Sequence, residues 1–451
     1  MKKNLIILLG LLYTLPGLTQ DPLSLSDAIL IGLDRNYDLQ IQQKNVEIAE
    51  NNNTWGQAGR WPTINLTLTN NNNLTDNVEV AFPTATQGQT ISNSLIPGVN
   101  ASWTLFDGFR ANISKERLDQ LQAQTQGNAS IVIANTIQAI VLGYYIAVLE
   151  EQRLNEFLKQ LELSSDRYDY VQIRKELGGA TTSDILLEEG NYLTDSLNYV
   201  NQELTFRNAI RSLNILIQEP NPDKRYTFTD SLDLSLNTYE YADLESRMLQ
   251  SNVDLQTQYI SRSIYGLDTR LARSDRYPNL SLNAGFNDNR NSLDLSNATF
   301  FTGDGFGSGP DERLNSVTDT YFVNFTLSFT LFNGNQINQA INNAIVSEDI
   351  GSSEVEKLEA TLRNDLLTAI DQYNIRKSLY GINERREEAA RLNLQISEDK
   401  FKNGSINSFD YRTVQNNYLS AAIVKLQSMY NLMESEVELM RLTGGLISDY
   451  Q

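Results

Sequence analysis

Gly303 to Glu312 reads GDGFGSGPDE, glycines interleaved with acids, the composition of loops that cradle phosphate or Ca²⁺. Its glycines follow neither the Walker spacing nor the EF-hand order, so the stretch reads as a loop of turn-forming residues between two strands. Glu384, Glu387 and Glu388 would suit paired-carboxylate chemistry. Arg385, Arg386 and Arg391 interleave with them on a helix, however, which is the pattern of a solvated, ion-paired face. Asp184 and Asp410 each follow a glycine-containing turn. With Thr182, Ser183 and Ser408 they suit the start of a helix, where a short polar side chain caps free N–H groups. The chain has no His and no Cys, so it lacks the commonest general base and transition-metal ligand as well as any disulfide. No nucleophile–base pair or metal cluster converges. The expectation is a non-enzyme without cofactor.

What the chain does carry is architecture. Lys2 and Lys3 precede an apolar run from Leu5 to Leu15, then Pro16, Gly17 and Thr19. That order is a secretory signal peptide, residues 1–19, too short to span a bilayer as a helix. Beyond Gln20 no segment approaches the 18 or so uninterrupted apolar residues of a membrane helix. The formal charge is −20, and two units more negative without Lys2 and Lys3; such a surface repels nucleic acid and anionic lipid.

The sequence then repeats itself. RWPTINLTLTNNNN from Arg60 is answered by RYPNLSLNAGFNDNR from Arg276, and Asn36 to Gln40 by Asn252 to Gln256. Leu105-Phe106-Asp107-Gly108 matches Leu331-Phe332-Asn333-Gly334, and Gly178 to Asp184 matches Gly404 to Asp410. Two copies of one design follow, 21–220 and 240–446, joined by a Pro-containing linker, 221–239. Each copy reads as helix, strand, loop, strand, very long helix, tight turn and return helix. Period-two alternation places strands at about 63–72, 97–106, 279–288 and 320–332. In the first, Ile64, Leu66 and Leu68 share one face, and Thr63, Asn65 and Thr67 the other. About ten residues with Trp or Tyr near the ends (Trp61, Trp103, Tyr277, Tyr321) is the length of one strand of a membrane barrel; a soluble sheet covered by helices fits the alternation equally. Four strands do not close a barrel, since the smallest need about eight. If they sit in lipid, the barrel is shared between chains.

From Phe109 to Leu177 there is no Pro, a stretch that as helix would reach about 100 Å. Ile137, Val141, Tyr144 and Val148 keep coiled-coil spacing. The return helix carries Ile185, Tyr192, Tyr199, Phe206 and Leu213 at seven-residue intervals, with Leu193, Leu197, Val200 and Leu204 beside them. Two stripes predict neighbours on both flanks. Leu358, Leu362, Leu366, Ile370 and Tyr373, then Leu426, Met433 and Val437, repeat the pattern in the second copy. The fold class is mainly α with a small β part: duplicated long antiparallel coiled-coil helices and four amphipathic strands.

Carried by these duplicated motifs and by the closing Arg441-Leu442-Thr443-Gly444, the chain resembles the TolC-type outer-membrane efflux and secretion channels over nearly its whole length after the leader. The resemblance implies a homotrimer in the outer membrane of a Gram-negative bacterium. Four strands per chain would make a twelve-stranded transmembrane barrel, and the long helices a periplasmic α-barrel. It implies a passive exit duct of a tripartite efflux pump or type I secretion system, partnered by a periplasmic adaptor, an inner-membrane pump and outer-membrane lipid. Arg60, Trp61, Pro62, Arg276, Tyr277 and Pro278 would mark the passage from helix to barrel, Pro ending the helix. Hairpins turning at 178–181 and 403–407 would put Gly178, Gly179, Gly404 and Ser405 against the adaptor.

Asp184 and Asp410 match acidic positions that relatives place at the pore constriction, where a ring favours cations; helix capping fits them as well. Where some relatives carry a Tyr and an Arg that lock the closed tip, this chain has Phe401 and Ile406, and a second acidic position is Thr413. An ionic lock at those positions is therefore in doubt. The GDGFGSGPDE stretch would be an extracellular loop. A different class, a periplasmic or surface-exposed coiled-coil scaffold or adhesin, is the alternative, and it requires the strands to be soluble.

Overall fold

The computed structural model describes residues 21–77, 86–232, 236–301 and 305–446; the leader, and part of the GDGFGSGPDE loop, lie outside them. In chain order the elements are β1 (Asp21–Leu23), α1 (Leu25–Arg35), α2 (Tyr37–Asn52), β2 (Thr63–Asn77), β3 (Thr86–Asp107), α3 (Arg110–Glu176), α4 (Thr182–Leu216) and β4 (Tyr226–Phe228). They continue as α5 (Tyr241–Ser251), α6 (Val253–Ser274), β5 (Asn279–Asp294), β6 (Ala298–Phe301), β7 (Phe306–Ser308), β8 (Leu314–Ser328), α7 (Gln336–Lys402) and α8 (Ser408–Leu442).

Two compact units cut across the sequence repeat, each taking elements from both copies. Among the described residues, one comprises 21–44, 126–257 and 356–446 and has β1 and β4, which pair in parallel, as its strands beside the helices. Its core gathers Ile29, Ile137, Ile140, Tyr144, Leu213, Ile217 and Val437. Helix α3 contains a stretch long and apolar enough to cross a membrane, contrary to the expectation from unbroken runs. Ile137, Ile140, Val141 and Ala147 belong to this core, so packing accounts for the composition. Tyr144 is fully buried, and its hydroxyl donates to Leu23 O at 2.8 Å while lying 3.0 Å from Asp230 Oδ2. Asp230 Oδ2 also accepts from Leu25 N–H at 2.8 Å. One phenol thus ties the chain's first described strand to the linker after β4. Burial pushes its ionisation far above the ordinary tyrosine value, so it acts as a donor.

The other unit, 45–125 and 258–355, is built on an antiparallel sheet. β3 lies between β2 and β5, and β5 between β3 and β8. Ile64, Ala101, Ala284 and Val323 make one cross-strand row, and Leu66, Val99, Phe286 and Tyr321 the row two residues on. Because alternate residues share a face, these rows put the apolar halves of all four strands on one side. The strands run well past the alternating segments: β2 reaches Asn77 and β3 begins at Thr86. Their extensions, such as Asn70 to Asn73, are polar on both faces, so hydrophobic alternation does not mark them.

β8 falls short at the other end. It stops at Ser328, not 332, because its partner β5 begins at Asn279, directly after Pro278. The extra residues of the second copy supply β6 and β7, with β6 continuing along β3 through Thr86↔Phe300.

Tyr144→Phe is expected to destabilise the helical unit by about 1–3 kcal/mol, since it strips hydrogen bonds from a buried carbonyl and carboxylate. Hydrogen exchange at β1 and β4 should quicken; unchanged protection there would show the hydroxyl is dispensable.

Candidate functional site

The sheet meets the long helices through duplicated local chemistry. After α2 ends at Asn52, the chain turns through Thr54 to Gly59 before Arg60, so in the first copy the helix does not run up to Arg60-Trp61-Pro62 as the motif predicts. Ala58 N–H donates to Thr54 O at 3.0 Å and Arg60 N–H to Trp55 O at 2.9 Å, which takes up the backbone groups that a helix would have paired. In the second copy α6 reaches Ser274, and Tyr277 N–H donates to Ser274 O at 3.1 Å.

Both arginines do one job. Arg60 Nη1 donates to Asn112 Oδ1 at 3.0 Å, and Arg276 Nη2 to Asn338 Oδ1 at 2.8 Å. The two asparagines hold equivalent places in the first turns of α3 and α7, so each Arg clamps a strand's entry to the helix that leaves the same sheet. Gly108-Phe109 and Gly334-Asn335 all have positive φ, a double reversal that glycine eases at the sheet-to-helix corner. A side chain at Gly108 would stand 2.7 Å from Tyr277 Cβ. Trp61 and Tyr277 are both exposed.

In the helical unit the two hairpins also mirror each other. Gly179 N–H donates to Arg174 O at 2.7 Å and Ser405 N–H to Lys400 O at 2.8 Å, while Gly178 and Gly404 adopt φ of 76° and 69°. These are glycine C-caps that satisfy the last carbonyls of α3 and α7. The N-caps are Thr181 and Asn407, immediately ahead of Thr182-Ser183 and of Ser408, the residues expected to share that role. Asp184 accepts from Thr181 N–H and Oγ1, each at 2.8 Å, and Asp410 Oδ2 accepts from Asn407 Nδ2 at 2.9 Å. Both carboxylates remain exposed, so capping uses one oxygen and leaves the group in water. The Thr181 amide and hydroxyl hold the Asp184 carboxyl below its ordinary value, with Arg174 assisting.

A cleft of 470 Å³ is bordered by Gly179, Asp184, Phe401, Gly404, Ser405, Ile406 and Asp410, together with Arg174 and Glu188. Gly178 and Thr413 do not border it. Thr413 is exposed on the next turn of α8, its hydroxyl donating to Phe409 O at 3.0 Å. Phe401 is stacked on Tyr411, with centroids 4.9 Å apart and planes at 12°, and meets Tyr170 edge-on.

Beneath the cleft lies a buried ionic network that the motif comparison missed. Arg167 on α3, 3% exposed, sits 2.6 Å from Glu188 on α4, 1% exposed, and donates to Gln415 on α8 at 2.7 Å. Arg412 on α8 holds Asp195 on α4 through both nitrogens, at 2.5 and 2.7 Å. Ser408 donates to Glu188. Burial lowers the Arg167 guanidinium from its ordinary value, and Glu188 opposes this most strongly. Three helices from both hairpins are thereby held by paired charges.

The signal was present in the sequence. Glu188, Asp195 and Gln202 recur at seven-residue intervals, three past the Ile185–Tyr192–Tyr199 series, where a seam residue belongs. The stripe expected beside that series, Leu193, Leu197, Val200 and Leu204, is exposed on α4.

Residues 244–445 match a family model described as outer membrane efflux protein. That stretch is the second copy of the repeat, and the whole chain has the fold of the TolC-type outer-membrane channels. The CmeC outer membrane channel of Campylobacter jejuni superposes with a TM-score of 0.73 at 16% identity, over 93% of this chain and 85% of that one. The outer membrane protein VceC of Vibrio cholerae gives 0.70 at 12%, over 93% and 96%. The open-state MtrE outer membrane channel of Neisseria gonorrhoeae gives 0.69 at 16%, over 94% and 89%. No curated sequence matches. The match over 244–445 and the likeness to outer-membrane channels together indicate the outer membrane of a Gram-negative cell, with a large periplasmic part.

Arg167→Met alone should leave Glu188 buried without its partner and destabilise the hairpins by about 3–5 kcal/mol, whereas Arg167→Met with Glu188→Leu should recover most of that. A thermal melt of the three proteins reads it, and a double variant no better than the single would count against the pairing. Because Asp184's carboxyl is depressed, the contribution of its cap is complete above the ordinary value of 3.8 and is lost as pH falls through the lower folded value. Amide exchange at Thr181 and Asp184 should therefore be flat from neutral pH to about 5 after correction for intrinsic rates, then accelerate below 3.8, and Asp184→Asn should remove the transition.

Proposed function

We propose that the protein is the exit duct of an efflux or type I secretion assembly, in which three copies complete a twelve-stranded barrel and their long helices form the periplasmic tunnel. The observation that carries this reading is the apolar face of the edge strands. Leu66 is 82% exposed and Leu327 69%, in rows with Ile64, Leu68, Val323 and Phe325. A row of that kind in water would be an aggregation site, and in lipid it is what a barrel strand presents. Free backbone groups along both edges at membrane depth cost several kcal/mol each, which only further strands remove. The exposed Leu193–Leu204 stripe on α4 fits the same trimer, its missing flank being a neighbouring copy.

Within that duct the hairpin turns are the pore's periplasmic end. Asp184 and Asp410, exposed beside the cleft, form the cation-favouring constriction with Thr413, Phe401 and Ile406. Gly178, Gly179, Gly404 and Ser405 offer the turns to the periplasmic adaptor, and an inner-membrane pump supplies the energy. Arg60-Trp61-Pro62 and Arg276-Tyr277-Pro278 lie at the inner edge of the lipid, with Trp61 and Tyr277 at the interface.

Heat-modifiable trimers in the outer-membrane fraction, conducting in planar bilayers, are the expected result; release by osmotic shock as a non-conducting monomer would overturn the reading. Asp410→Ala should lower cation selectivity, and an unchanged reversal potential would remove Asp410 from the constriction.

A further inference from the structure

We propose that the barrel is a charge-blind exit sleeve: its inner wall sorts no cargo by the sign of its charge, and any preference for cations is set at the hairpin end alone. This deepens the duct reading and rests on it. If Ile64, Leu66, Phe325 and Leu327 face lipid, the alternate positions of the same strands face the lumen.

The pairing register sorts the strand charges by face. Asp76, Asp288, Arg290, Asp294 and Asp319 are the charged residues of β2, β5 and β8, and all of them fall on the face that carries the apolar rows. They lie towards the loop end, where Asp288 opposite Asp319 is the next row on that face beyond Phe286 opposite Tyr321. Arg290 Nε donates to Asp288 Oδ2 at 3.0 Å, and Arg313 Nε stands 3.4 Å from Asp294 Oδ2. β3 has one charge, Asp107 at its last residue, where Oδ1 accepts from Ala111 N–H at 3.5 Å in the first turn of α3.

The opposite face, among the described residues short of that junction, carries none. One of its rows is Asn71, Ser94, Asn291 and Ser316; another is Thr67, Gly98, Asn287 and Thr320. In a chain of net charge −20 this is not for want of acids. Asn, Ser and Thr side chains both donate and accept, so such a wall bonds the hydration shell of a cation or an anion equally well. Low-dielectric walls focus the field of any fixed charge into the bore. With none on its wall, the bore has no field of its own to favour either sign. Phe322 is the one aromatic among the described residues of that face. Its Cζ fills the space over Gly285, 2.8 Å from where a Cβ would stand, and the ring is half-buried there.

The K⁺/Cl⁻ permeability ratio in planar bilayers tests this with two adjacent asparagines. Asn71 lies on the inner face and Asn70 on the outer, and both are exposed. In about 0.1 M salt the Debye length is about 10 Å, so Asn71, about 20 Å from the loop end of β2, reports its own stretch of wall. Asn71→Lys and Asn71→Asp should shift the ratio several-fold, by equal factors in opposite directions, while Asn70→Lys and Asn70→Asp leave it unchanged. A large shift for Lys beside a small one for Asp means that the wall is already negative, which overturns the proposal and leaves the duct standing. A shift from the Asn70 pair in place of the Asn71 pair exchanges the faces, and no shift from either pair takes the barrel wall out of the conducting path; each overturns it too. Ser316→Lys and Ser316→Asp, in the same row on β8, take over the test should the Asn71 variants fail to assemble. Wild-type protein that does not conduct at all overturns the duct reading together with this one.

Discussion

Every strand in this protein must find partners for its backbone N–H and C=O groups, and one chain supplies only half of what its two edge strands need. That shortage governs the rest of the structure. Lengthening the sheet within one chain would demand more repeats; in the proposed trimer, repeating the chain itself would meet the need with three identical seams. The apolar rows on β2 and β8 raise the stakes, because in hydrocarbon no water stands in for a missing strand.

The duplication is visible in chemistry as well as in sequence. Arg60 to Asn112 and Arg276 to Asn338 are the same contact made twice, as are the Gly179 and Ser405 amide bonds to Arg174 O and Lys400 O. Yet the compact units do not follow the repeat, because the central seam of the sheet joins β3 of one copy to β5 of the other. Neither copy folds its sheet alone: a two-stranded hairpin is marginal in water, and four strands come from interleaving.

Local signals in the sequence located the strands, the glycine turns and the long helices, since each depends on a few neighbouring residues. Alternation from Thr63 to Thr69 marks a strand because one face must be apolar; from Asn70 to Asn73 no face is, and the strand there is held by pairing to Ser92–Leu95, information that lies some twenty residues away. The end of β8 failed for the complementary reason. Phe329 and Leu331 continue the alternation, but Pro278 ends the partner strand. The capping residues shifted by one, to Thr181 and Asn407, a displacement within the tolerance of any boundary argument. The Arg167–Glu188 and Arg412–Asp195 pairs were legible only as charges at seam spacing, a pattern that an apolar search passes over.

Those charges divide labour with the leucines around them. An apolar ridge packs almost as well after sliding by one heptad, because its knobs are alike, so Leu193, Leu197, Val200 and Leu204 supply adhesion without fixing position. A buried Arg412 fork on Asp195 accepts one arrangement, for a slide would strand two charges away from water. The α4 helix therefore carries its position-setting face inward, toward α3 and α8 of its own chain, and its adhesive face outward. Contacts on the inner face resist any change of register between the hairpins, whereas the outer face tolerates sliding. In the proposed trimer, motion at the hairpin ends would accordingly be cheaper between copies than within one, the ordering of stiffness that a duct widening at its tip without unfolding its protomers would need.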